Sequence, residues 1–154
     1  MLGNNFKNKK VVFAGCARDC EKYLEKTLSN IDYYSSLFEK SYQIIVENGS
    51  KDRTREILEL KKKPNCYYLF EDHLDEYRTR GERLERARNK IIEKIKSETN
   101  LRNCDLLIIL DLDDIGGYRI DNKNILKSLD FLFSKKKSQE FLQINWALIT
   151  IGGP

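Results

Sequence analysis

The chain has 154 residues, of which 40% are hydrophobic and 34% charged, with a formal net charge of +4. That length defaults to one domain, 1–154, and the apolar share suffices for a core, although the charged share exceeds the usual level. No run approaches the roughly 20 apolar residues that cross a bilayer, and the opening MLGNNFKNKK has no apolar signal-peptide stretch. Lys and Arg are spread along the chain rather than massed in one arm, which argues against nucleic acid as the main partner.

The elements alternate in type. KVVFAGC (Lys10 to Cys16) is a short apolar run ending near Gly15, the pattern of a buried strand. A helix follows, with Tyr23, Leu24, Thr27, Leu28, Ile31, Tyr34, Leu37 and Phe38 on one face and Asp19 as its expected N-cap. YQIIVE (Tyr42 to Glu47) is a second strand, broken by the turn signal NGS. Ser50 is the expected cap of a short helix over KDRTREILELKKK, which Pro64 and Asn65 stop. CYYLFE (Cys66 to Glu71) is a third strand, and one long helix is expected over Asp75 to Glu98. DLLIILD (Asp105 to Asp111) is a fourth strand. A helix near Asn122 to Lys135 and the apolar run FLQINWALIT complete the chain. Strands apolar throughout, alternating with helices, predict a mostly parallel sheet covered on both faces. Ligands of such sheets bind beyond the carboxyl ends of the strands, where CARD, ENGSKD and DLDD fall.

The cysteines, Cys16, Cys20, Cys66 and Cys104, match no zinc spacing and are too sparse for a disulfide scaffold. Buried free thiols, hence a reducing and cytoplasmic location, are expected. His73 has only Asp72 and Asp75 beside it and reads as a surface residue.

IILDLDDIGG (Ile108 to Gly117) ends an apolar run in three acids and two glycines. Crowded carboxylates repel unless a proton or cation relieves them. Alternation along an extended backbone puts Asp111 and Asp113 on one side, where two oxygen donors suit Mg2+ or Mn2+, with phosphate oxygens completing the shell. A strand-ending turn accounts for the same letters without a metal. On the long helix, Tyr77, Leu84, Ala87, Ile91 and Ile95 form an apolar face that Arg80 and Arg88 share, while Arg83 and Arg86 are expected to point away. Arg88 is expected to face the polar crevice and pair with an anion, since an arginine on a core-facing stripe is costly otherwise; a snorkelling side chain is the alternative. Glu47 and Asp52 occupy positions where acids accept hydrogen bonds from a ribose or base, or else form a turn and a helix cap. GCARD offers exposed backbone N–H groups and Arg18 to a nucleotide.

Taken in order, VVFAGCARD, IIVENGSKDRT, RGERLERARN and IILDLDD resemble the nucleotide-binding half of a GT-A glycosyltransferase. They are most similar to the family that includes the fungal capsule-associated alpha-1,3-mannosyltransferases; inverting family 2 enzymes share a looser version. The resemblance covers about residues 10–151 and implies a Rossmann-like three-layer α/β/α sandwich. It implies transfer of a sugar, with mannose a candidate, from a UDP- or GDP-sugar to a glycan, protein or lipid hydroxyl, assisted by Mn2+ or Mg2+. By the same resemblance Ala14, Arg18, Glu47, Asp52, Arg88, Asn89 and Asp111 contact the donor, and Asp111 and Asp113 hold the metal. Relatives carry a further half that supplies the acceptor site and, in inverting enzymes, the base. This chain is therefore expected to be the donor half of a longer enzyme or a nucleotide-sugar-binding remnant, with no base to name.

Two other enzyme classes share parts of these motifs. IILDLDD also looks like the nucleophile strand of haloacid-dehalogenase-type phosphatases, but that motif normally ends in Thr and heads the domain, whereas Ile115 stands here after three strands. A nucleotidyltransferase would need a Gly-rich basic loop after the first strand, which is missing.

Overall fold

The computed structural model describes residues 6–113, 122–136 and 147–151. The strands are β1 (Lys10–Ala17), β2 (Lys40–Glu47), β3 (Cys66–Phe70), β4 (Leu106–Asp111) and β5 (Ala147–Ile151). The helices are α1 (Glu21–Ser35), α2 (Thr54–Leu60), α3 (Arg80–Ser97), the single turn α4 (Thr99–Arg102) and α5 (Asn122–Lys136), with a 3-10 turn over Asp72–Glu76. The sheet order is β3-β2-β1-β4-β5, and every pairing is parallel.

Alternation sorts the strands into two cores. Val11, Phe13 and Ala17 of β1 join Ile45, Tyr68, Leu106, Ile108 and Leu110 on one face. There α1 supplies Leu24, Leu28, Ile31 and Tyr34, α2 supplies Ile57 and Leu58, and α5 supplies Leu129. Val12 and Ala14 join Tyr42, Ile44, Val46 and Leu107 on the other face, beneath Ala87, Ile91 and Ile95 of α3 and Leu101 of α4. Each fully buried Val, Leu, Ile or Phe contributes about 1.5–3 kcal/mol. β1 and β2 carry such residues on both faces, as central parallel strands do. Among the described residues, no helix is long and apolar enough to cross a membrane.

Three expectations change at the helix starts. α1 begins at Glu21, and Asp19 does not cap it. Asp19 instead adopts a left-handed φ of 47°, which Asp tolerates better than most residues. α2 begins only at Thr54, and Ser50 caps no helix there. The long helix is broken: the 3-10 turn and an extended Tyr77 precede α3. α3 starts at Arg80 because Thr79 and Glu82 form a capping box, each side chain bonded to the other's backbone N–H. That T-x-x-E signal stands in the sequence and marks a helix start strongly enough to divide an otherwise continuous pattern.

The turns after β1 and β2 satisfy each other's backbone. The Asp19 and Cys20 N–H groups donate to Ser50 Oγ (3.0 Å) and Thr54 Oγ1 (2.9 Å). The Glu21 N–H donates to Asp52 Oδ2 at 3.0 Å. In return, the Lys51 N–H donates to Asp19 Oδ1 at 2.7 Å and the Arg53 N–H to Glu21 Oε2 at 2.8 Å. Helix starts leave N–H groups without intrahelical partners; here each of two helices borrows its acceptors from the other's approach.

Candidate functional site

The strand order reverses direction between β1 and β4: from β1 the chain builds outward to β2 and β3, then returns to place β4 on β1's other side. The two loops leaving such a pair diverge and open a crevice. A cleft of about 310 Å³ lies there, lined by Gly15 to Cys20, Asn48, the α3 residues Arg80, Arg83, Leu84, Ala87, Arg88 and Ile91, and Ile109 to Asp113. That volume is at the small end for ligand sites.

Gly15 sets how closely the cleft's two strands approach. A Cβ there would meet the Leu110 carbonyl oxygen at 2.6 Å and Leu112 Cγ at 3.1 Å. Asp111 is the register partner of Cys16, which is on the α3 side of the sheet. Leu112 is buried in the opposite core, and Asp113 lines the cleft together with Asp111. Leu112 itself lines the cleft as well as packing into that core.

The cleft combines opposite charges. Arg18, Arg80, Arg83 and Arg88 contribute to its lining along with Asp19, Asp111 and Asp113. Arg83, expected to point away, lines the cleft and donates from Nη1 to the Tyr77 carbonyl at 2.9 Å; the spacing 80, 83, 84, 87, 88, 91 is one helical face. Arg86 does turn aside, stacking on the Tyr77 ring at 4.4 Å. At the cleft floor burial pushes the Cys16 thiol up to about 11, with the Arg88 charge lowering it and the Asp111 charge raising it. Arg88 and Asp111 therefore act on the same point from helix and strand.

Four sequence-derived site residues do not line this cleft. Ala14 is buried in the core beneath α3, and Asn89 is exposed beyond the lining. Glu47 is 0% exposed. Its Oε1 accepts from the Ser50 N–H, and its Oε2 accepts from Arg55 Nε at 2.9 Å. Asp52 accepts from the Thr54 N–H at 2.9 Å as well as from Glu21. Burial raises the Asp52 carboxyl, but hydrogen bonds from Thr54 and Glu21 outweigh it and hold the group below its usual value. Glu47 is thus enclosed with its partners, whereas Asp52 is partly exposed and keeps acceptor capacity on both oxygens.

Asn48 was missed by sequence reasoning. It lines the cleft, is 8% exposed, and its buried Oδ1 has no hydrogen-bond partner among the described residues. Leaving a buried acceptor unpaired costs about 1–3 kcal/mol. The signal that finds it is the period of two: Tyr42, Ile44 and Val46 face the α3 core, so Asn48 continues onto the cleft face, and Glu47 falls on the other.

Among the described residues, no group of three or more His, Cys, Asp or Glu side chains could hold a metal ion. Asp111 and Asp113 offer a hard, all-oxygen pair, which fits Mg2+ or Mn2+ when ligand phosphates and water supply the remaining positions. Asp114 lies outside the described residues. No family model, curated protein or solved structure matches the chain.

Proposed function

We propose that this chain is the donor-binding part of a glycosyltransferase, seating a nucleoside-diphosphate sugar in the cleft between β1 and β4 for transfer to an acceptor hydroxyl. The observation that carries the reading is the joint lining of one switch-point cleft by Arg18, Arg80, Arg83 and Arg88 and by Asp111 and Asp113. The arginines suit the oxygens of a diphosphate, which guanidinium groups bind with two donors at once. Asp111 and Asp113 would hold Mn2+ or Mg2+, which supplies positive charge to a departing nucleoside diphosphate. The unpartnered Asn48 acceptor suits a hydroxyl or N–H of the nucleoside or sugar. Glu47 and Asp52 hold the turns beside the cleft.

The parallel α/β architecture supports the Rossmann-like, three-layer GT-A fold that the resemblance implies. Four free cysteines support a reducing compartment, the cytoplasm. The acceptor, a glycan, protein or lipid, belongs to the same proposal.

Calorimetric titration of UDP- and GDP-sugars, with and without Mn2+, tests the reading. We expect metal-dependent binding by the native chain and at least a tenfold loss in Asp113→Ala, with the circular dichroism spectrum retained. Affinity untouched by the substitution or by chelation overturns the ligand assignment. Phosphate release from a phosphomonoester, without nucleotide-sugar binding, replaces it with a phosphatase.

A further inference from the structure

Arg18 lines the cleft, yet its guanidinium already has a partner outside it. Its Nη1 donates to Asp75 Oδ1 on the 3-10 turn, while its Nε lies 3.7 Å from Asp19 Oδ2. Asp19 is held in place by the Lys51 N–H. Asp75 rides on a segment anchored independently of Arg18: Leu74 is buried in the core, and Asp72 pairs with Arg55. The turn therefore has its own fixings, and the Arg18–Asp75 contact is additional to them. The side chains are 32% and 49% exposed, so the pair is open to solvent and to competing anions.

We propose that Asp75 is a built-in competitor for the cleft's ligand: it holds Arg18 at the mouth when the cleft is empty and yields it to an incoming phosphate. This rests on the reading of the cleft as an anion site. Carboxylate and phosphate both pair bidentately with guanidinium, but a diphosphate carries more charge than one carboxylate, so it wins the arginine; a singly charged anion gains little. Asp75 thus sets a threshold of ligand charge, although it does not line the cleft. An exposed ion pair is weak, which keeps the exchange reversible and the threshold low.

The experiment measures inorganic pyrophosphate binding by calorimetry on the full chain at low ionic strength, with Mn2+ present. Asp75→Asn should bind about two- to fivefold tighter than the native chain, the size of a lost exposed-pair competitor. Glu76→Gln is the control: it removes the same charge from the same turn, but Glu76 faces His73 at 3.6 Å rather than Arg18. It should leave affinity unchanged, and Asp75→Asn should have no effect in an Arg18→Gln background. Equal tightening by both turn variants, or tightening that survives loss of Arg18, overturns the proposal, because the effect is then general electrostatics. Pyrophosphate binding with no response to Asp75→Asn overturns it while leaving the cleft reading intact. No pyrophosphate binding by any variant overturns the cleft reading and this proposal with it.

Discussion

Leu112 stands between two acids that line the cleft with it. It packs into the core opposite α3, and its Cγ stands at the limit of what Gly15 permits. Gly15→Ala should therefore lower stability by about 1–3 kcal/mol, read as a reduced urea midpoint; an unchanged midpoint would mean that β1 and β4 have slack. Strand alternation made the cleft side of Asp111 legible in the sequence, since β4 runs to that residue, whereas Asp113 lies past the strand's end. The same rule applied to β2 would have chosen Asn48 over Glu47. Acid chemistry drew attention to Glu47, but its carboxylate faces Arg55 on the far side of the sheet. Arg83 reaches the cleft because it lies four residues before Ala87, on the flank of the α3 face rather than opposite it.

At the scale of elements, strands were easier to read than helix starts. Each strand is announced by its own apolar residues, whereas α1 and α2 begin where a distant turn supplies the acceptor. No local window contains both Cys20 and Thr54, or both Glu21 and Asp52. Asp52→Ala should cost about 1–2 kcal/mol at pH 7, the size of a lost cap, with Thr54 and Glu21 N–H groups left short of acceptors. The sign of its pH dependence follows from the lowered carboxyl. The ionised Asp52 contributes stability above its unfolded value of 3.8, and the contribution is lost as pH falls through the lower folded value. The gap between native chain and variant, measured by urea unfolding, should narrow in acid; a gap that widens would contradict the cap.

For the molecule as a whole, α/β alternation was visible in the chain, but the order β3-β2-β1-β4-β5 was not. Strand order depends on which side of β1 the fourth strand joins, and no residue states that by itself. The consequence is that α3 serves two purposes, covering one core and walling the cleft. Ile91 is 1% exposed and belongs to both. Ile91→Ala should lose about 2–4 kcal/mol and weaken ligand binding, while Ile91→Val, costing about 1 kcal/mol, should largely spare both. Stability loss in Ile91→Ala with undiminished affinity would separate wall from core.

The reciprocal capping between the turns at 19–21 and 50–54 has a hereditary consequence. Neither turn can drift alone, since a substitution in one strips acceptors from the other. Descendants of this chain should vary the two turns in concert, and a chimera that transplants a single turn inherits half a handshake.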